Sequence, residues 1–290
     1  MNFLSRRNNF LGLIALFFAF TISGIILAYV YVGLSIVVAG VSLNFVLVIF
    51  FGIALFVIIQ FLRKPLKVTS NIGVFFVVII GLPFIHFFNW VFYFTWLFNE
   101  SINPFLQIGT FLRYFFEYLS NHSVAHFIYH FEVFNYTGWI YVLGSTEIEV
   151  RGPFLSVFWL GEFIIISVIP VISAFSFEAV FIYSKNTWAK PKFLPYPFAV
   201  FTGEERESIS RGQISTILNK PLSQSSEFSS VAICLANSEV TEYITIYNST
   251  LNKGGNIKNS KPSKAIFLGF EKLKELENKL AQKHNTEEDL

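Results

Sequence analysis

Long, nearly unbroken apolar runs dominate the first two thirds of the chain, where a soluble domain shows alternation or helical stripes. Residues 10–32, 43–62, 72–98 and 154–183 are apolar almost throughout. Each is near or above the roughly twenty residues that cross a ~30 Å hydrocarbon core. Arg6 and Arg7 before the first run mimic a secretory signal, but the run is long and no small-x-small site follows, so it is read as an uncleaved helix. Residues 33–42 hold two Gly and two Ser and predict a short apolar link. The second run stops at Arg63-Lys64-Pro65. The third carries Pro83, His86 and Asn89, and the fourth carries Glu162, Pro170 and Glu178.

Between the third and fourth runs the pattern changes. Asn103-Pro104 is a helix-start signal. After it, Phe105, Leu106, Ile108, Phe111, Leu112, Phe115, Phe116 and Leu119 cover one broad face, and Gln107, Thr110, Arg113 and Glu117 the other. That moment suits a helix lying in a membrane interface better than a fifth span. Residues 123–134 predict a second such helix. Residues 138–151 alternate around Gly144-Ser145 and predict a β-hairpin.

After residue 184 the chain turns polar. Residues 185–198 hold three prolines and are expected to be an interfacial linker. Residues 204–218 predict a short helix, residues 230–236, 241–251 and 265–269 strands, and 253–256 a turn. Phe270, Leu273, Leu276 and Leu280 fall at helical spacing, predicting a terminal amphipathic helix on that sheet. Residues 285–290 are expected to be a disordered acidic tail.

The predicted fold class is therefore a polytopic α-helical membrane protein. It has four transmembrane helices, an extracytoplasmic lid of amphipathic helices and a hairpin (residues 99–153), and a small cytoplasmic α+β domain. In domain terms, residues 1–184 form the transmembrane part, 185–198 the linker and 199–284 the α+β domain.

Composition agrees with that reading. Of 290 residues, 53% are hydrophobic and 37 are Phe, and no internal repeat is present. A net charge of +2 gives no basis for nucleic-acid binding. One cysteine, Cys234, excludes an intrachain disulfide and a Cys-rich zinc site. The abundance of Phe, Ile, Asn and Lys fits an AT-rich bacterial genome, so the cytoplasmic (inner) membrane of a bacterium is the expected location. Charge asymmetry sets the expected orientation. Arg6, Arg7, Arg63, Lys64, Lys67, Lys185, Lys190 and Lys192 fall on one side of the four spans, against Arg113 and Arg151 on the other. Both termini are thus expected in the cytoplasm.

Two constellations carry candidate chemistry. His122, His126 and His130 recur every fourth residue, and imidazoles at i, i+4 can hold a divalent transition metal. Asn121 and Ser123 signal a helix break near 122, and no second paired histidine motif is present. The plainer reading is therefore interfacial histidines satisfied by water or head groups, with no cofactor. Second, His86, Asn89 and Glu162 fall in the outer halves of antiparallel spans and can meet. Ionisable residues inside a membrane mark proton or ion routes, and the plainer alternative is an interhelical hydrogen bond. Glu178 lies near the cytoplasmic end and is expected to snorkel. Cys234 reads as a core residue, Glu204-Glu205 as acids at a helix start, and Gly254-Gly255 as a turn.

These features leave three function classes. The first expectation is a non-enzymatic membrane scaffold or sensor whose cytoplasmic domain binds a protein partner. The alternative is a subunit of a transporter or ion-translocating complex using His86 and Glu162. Four helices without repeats are few for a complete transporter, so that reading calls for homo-oligomers or partner subunits. The third is a metal-dependent membrane enzyme built on the histidines.

Overall fold

The structure is a computed structural model that describes residues 10–37, 41–99, 102–143, 146–177, 179–182, 185–223, 225–252, 257–259, 263 and 265–288. Arg6, Arg7, Glu178 and the turns expected at Gly144-Ser145 and Gly254-Gly255 lie outside the described residues. The chain divides into two compact units, Met1–Phe177 and Glu178–Leu290.

In the first unit, four helices are long and apolar enough to cross a membrane. They are α1 (Phe10–Val37), α2 (Val41–Arg63), α3 (Asn71–Leu97) and, later in the chain, α6 (Pro153–Phe175). Helix α1 packs on α2 and α3, and α6 packs on α2 and α3, which closes a four-helix ring. Glycines set the close approaches. A Cβ on Gly24 would lie 2.3 Å from Ile85 Cδ1, and one on Gly52 would lie 2.7 Å from Ile169 Cδ1. Small residues at such contacts are how apolar helices gain packing energy without a hydrophobic drive. Ser35 sits inside α1, beyond the end expected near residue 32, and its hydroxyl donates back to Val32 O at 2.8 Å.

The fourth apolar run was expected to stay helical to 183, but α6 stops at Phe175. Helix α2 sets that end. Gln60 Nε2 donates to Ser173 O at 2.8 Å, and Arg63 Nη1 donates to Ala174 O at 3.1 Å. Capping the last carbonyls with a cation suits the negative end of the helix dipole. Arg63 is 0% exposed; its guanidinium also bonds Asn71 Oδ1 at 2.7 Å and lies 4.2 Å from the centre of the Phe177 ring.

Between α3 and α6 lie α4 (Ile108–Asn121), α5 (Val124–Thr137) and the antiparallel pair β1 (Trp139–Leu143) and β2 (Thr146–Val150). Asn103 caps a turn that precedes α4, its Oδ1 accepting from Phe105 N and Leu106 N at 3.0 Å. The apolar side of α4 is split. Phe111, Phe115 and Tyr118 are buried, while Ile108, Leu112 and Phe116 are exposed.

The second unit is α+β. Strands β3 (Phe181–Ile182) and β4 (Thr187–Trp188) form a small hairpin. The main sheet runs β5 (Lys190–Phe198), β6 (Glu227–Ala236), β7 (Glu239–Leu251), β8 (Ile257–Asn259), with β9 (Ile266–Phe267) also on β7. All its pairs are antiparallel. The stretch expected as a linker is thus largely strand. Its prolines are tolerated because β5 is an edge, and its ladder is interrupted between Phe193 and Pro197. Asn237 and Ser238, both at positive φ, make the tight β6–β7 turn. The helix expected over 204–218 is two, α7 (Gly203–Ser210) and α8 (Ser215–Leu218), separated at Gly212 with φ +85°. Helix α9 (Phe270–Glu288) buries Leu273, Leu276 and Leu280 in a core with Val231, Ile233, Ile244 and Ile246. It continues through the expected tail to Glu288, since no Gly or Pro interrupts it.

Candidate functional site

The end of the helix ring nearest α5 holds a small cavity of about 50 Å³. Four helices supply its polar lining. Tyr31 and Ser35 come from α1, Asn44 from α2, Asn89 and Tyr93 from α3, and Glu162 from α6. Trp90, Phe134 and Trp159 complete the wall. These rings interlock: Trp159 stacks on Phe134 at 5.8 Å and 6°, and meets Trp90 edge-on at 4.9 Å. Phe131 lies 4.6 Å from Trp159 and 4.9 Å from Trp90. The volume has room for a few water molecules and for nothing the size of an organic metabolite.

Local sequence places these groups together. Glu162 stands nine residues after Pro153, which opens α6, hence roughly 13 Å along the helix axis. Asn89 stands eight residues before Leu97, which closes α3, hence roughly 12 Å from its end. The two helices are antiparallel neighbours, so both side chains reach the same level. Asn44 and Ser35 enter that level from the start of α2 and the end of α1. The Oδ1 atoms of Asn44 and Asn89 are buried and accept no hydrogen bond from the described residues. Among the described residues no hydrogen bond or ion pair joins Glu162 to a neighbour, and no Lys or Arg lines the cavity.

His86, grouped with Glu162 on sequence grounds, goes elsewhere. Its Nε2 lies 3.2 Å from Ser167 Oγ, and its ring lies 4.5 Å from that of Phe163. The imidazole is 8% exposed. His86 precedes Asn89 by about one turn of α3, and Ser167 follows Glu162 by more than one turn of α6. His86 thus contacts Ser167 one level further into the bundle rather than meeting Glu162. Asn89 and Glu162 share the cavity.

The three other candidate histidines do converge. His126 and His130 lie on α5, and His122 lies in the break before it, with its ring 5.8 Å from His126 and 5.2 Å from His130. Each Nδ1 is engaged locally. His122 donates to Tyr118 O at 3.0 Å, His126 meets Ser123 Oγ at 2.9 Å, and His130 meets the Tyr118 hydroxyl at 2.9 Å. Burial, then the nearby His122 and His126, hold the His130 imidazole below its usual range. Burial pushes the Tyr118 phenol up to about 12. Among the described residues no group of three His, Cys, Asp or Glu side chains is placed to hold a metal ion.

In the second unit, a wider cleft of about 660 Å³ opens beside the interrupted part of β5. Phe193, Pro195, Pro197, Phe228, Leu251 and Ile257 give it apolar walls, and Ser230 and Asn259 line it as well. Cys234, in β6 and outside that lining, is buried, and burial pushes its thiol up to about 11, as expected of an inert core cysteine.

Comparison with protein-family models, with curated proteins and with solved structures finds no match to this chain. The functional reading therefore rests on the geometry.

Proposed function

We propose that this chain is a multi-pass membrane protein whose helix ring carries an ion- or proton-exchange site at Glu162. It would act as a subunit of a transporter or ion-translocating complex. The supporting observation is the cavity shared by Glu162, Asn89, Asn44 and Ser35. A carboxylate among four apolar helices, with no cationic partner lining its cavity, is costly to keep unless it exchanges a proton or an ion. Exposed Phe18, Ile22, Phe50, Val57, Phe76, Phe84, Leu160, Ile164 and Val168 support the membrane location. So large an apolar surface is stable against lipid and would drive aggregation in water. In the expected orientation both termini and Glu178–Leu290 are cytoplasmic, and α4, α5 and the hairpin lie at the outer face, where the cavity is nearest. The expected membrane is the bacterial cytoplasmic one.

Proteoliposomes containing the full chain test this with a pH-sensitive dye inside. Wild type is expected to pass protons, or protons against a cation gradient. Glu162→Gln, which keeps shape and folding, is expected to abolish the flux. Unchanged flux in Glu162→Gln would overturn the reading.

A second reading, a scaffold or sensor with a protein partner, is favoured by the cleft in the second unit, which is large enough for an extended segment of another chain. Cross-linking from a photoreactive residue at position 193 to one reproducible protein would support it. Cross-linking only to water or lipid would remove that support.

A further inference from the structure

The chemistry of the cavity allows its occupant to be narrowed, on the premise that Glu162 is an exchange site. We infer that the site takes one largely dehydrated alkali cation, of the Na⁺ type, in competition with the Glu162 proton.

Charge is the first argument. The lining contains one carboxylate, Glu162, and no second acid. One bound monovalent cation makes the site neutral, whereas a divalent ion leaves a net charge in a low-dielectric bundle. Ligand type is the second. The remaining polar groups are two amides, Asn44 and Asn89, and the hydroxyls of Ser35, Tyr31 and Tyr93. All are hard oxygen donors, which suit alkali and alkaline-earth ions and not soft transition metals. Turning either amide about its last side-chain bond presents its oxygen or its NH₂ to the cavity, and the Oδ1 of each lacks a protein donor. Ser35 already donates its proton to Val32 O at 2.8 Å, so its oxygen lone pairs remain for a cation.

Size is the third argument. About 50 Å³ accommodates an ion with one or two waters and excludes an organic cation. The aromatic groups Trp90, Phe134 and Trp159 lower the local dielectric, which strengthens the ion–carboxylate attraction. The exchange is balanced. The protonated Glu162 releases H⁺ to water as M⁺ enters, and the carboxylate becomes the charged ligand. The other titratable groups facing the site are the phenols of Tyr31 and Tyr93. His86 lies one level away, engaged by Ser167.

Trp90 and Trp159 provide the readout. The purified full chain in detergent is titrated with NaCl against choline chloride at constant ionic strength, following tryptophan emission. The expected result is a saturable response to Na⁺ alone. Its apparent Kd should rise about tenfold for each pH unit of acidification once Glu162 is protonated. Glu162→Gln should abolish the response, with helicity by circular dichroism unchanged. Asn89→Ala and Asn44→Ala should each weaken it about tenfold or more. A response shared by choline, a response that survives Glu162→Gln, or no saturation at all would each overturn the inference. Proton flux without any Na⁺ response would leave the exchange reading standing and remove this one. A Glu162-dependent Na⁺ response without flux would do the reverse.

Discussion

The unit Met1–Phe177 turns Phe, Ile and Val outward along its long helices, whereas Glu178–Leu290 turns out mainly Lys, Glu, Ser and Thr. Their interiors contrast as well. In the second unit several buried hydroxyls of the sheet are bonded within it. Ser230 Oγ meets Ser249 Oγ at 2.9 Å, Ser249 donates to Asn259 Oδ1 at 2.7 Å, and Thr241 donates to Cys234 O at 2.6 Å. In the first unit, Asn44 and Asn89 bury amide oxygens without a donor, and both line the Glu162 cavity. A buried polar group without a partner costs about 1–3 kcal/mol. Such groups gathered at one carboxylate are better explained by a ligand than by structural economy. Thr21, Asn135 and Ser173 in the first unit and Thr245 in the second also bury an oxygen with no partner among the described residues, but Asn44 and Asn89 are the two that share a cavity with a carboxylate.

The sharpest break of that comparison removes the strands that precede residue 199. A fragment of residues 179–290 is expected to unfold cooperatively in urea, because it keeps β5 on the edge of the sheet. A fragment of residues 199–290 lacks β3, β4 and β5, uncovers Ser230 and Ala232 on β6, and is expected to lose the cooperative transition altogether. Equal transitions in both fragments would show that β5 is dispensable.

Next in size is Arg63. Arg63→Ala leaves Ala174 O and Asn71 Oδ1 without their donor and opens a void at the α2–α6 junction. The expected loss is about 4 kcal/mol, read as a lower thermal-aggregation midpoint in detergent. Arg63→Lys should recover only part of it, because a point ammonium cannot serve divergent acceptors as the guanidinium fork does. A silent Arg63→Ala would contradict the account of why α6 ends at Phe175.

The contrast between these two expectations and the sequence pattern is instructive. The four long helices were legible because composition alone decides them: a run of Phe, Ile, Leu and Val cannot face water. The end of α6 was not, since Gln60 and Arg63 impose it from another helix. Strand β5 was hidden because Pro191, Pro195 and Pro197 read locally as linker, and only an edge position admits them. At the site, Glu162 and Asn89 stood out as polar interruptions of apolar runs. Asn44, Ser35, Tyr31 and Tyr93 did not, because each is commonplace near a helix end. What singled them out was the antiparallel packing that brings four helix segments to one level. His86 was misplaced with Glu162 for the same reason: a difference of one helical turn is invisible until the packing is known.

A smaller effect is expected at the cap of α7. Thr202 and Glu205 form a reciprocal capping box, and Lys220 reaches the Glu205 carboxylate at 2.7 Å. The Lys220 and Thr202 bonds hold Glu205 below its usual range. This contribution is present above the ordinary glutamate value and is lost as pH falls through the lowered one. Thr202→Ala should cost about 1 kcal/mol, measured by urea denaturation of residues 179–290. The cost should shrink in acid.

The smallest effect concerns His130. Its imidazole is held below the ordinary histidine value, so the unfolded chain takes up the proton first. Stability contributed here is full above that ordinary value and falls as pH drops through it toward the lowered one. Melting midpoints of the full chain in detergent should therefore decline on mild acidification. His130→Gln should flatten that decline. An identical slope in the variant would assign the pH dependence elsewhere.

The claim that Glu162 lines a small cavity and exchanges its proton can be read directly by infrared difference spectroscopy of the full chain in liposomes. Spectra are taken between mildly acidic and mildly alkaline buffer, in H₂O and D₂O. The account predicts a carboxylic-acid carbonyl band that appears on acidification, shifts within minutes in D₂O and is missing in Glu162→Gln. A difference spectrum that Glu162→Gln leaves unchanged, or a Glu162 band that does not exchange in D₂O, would contradict it.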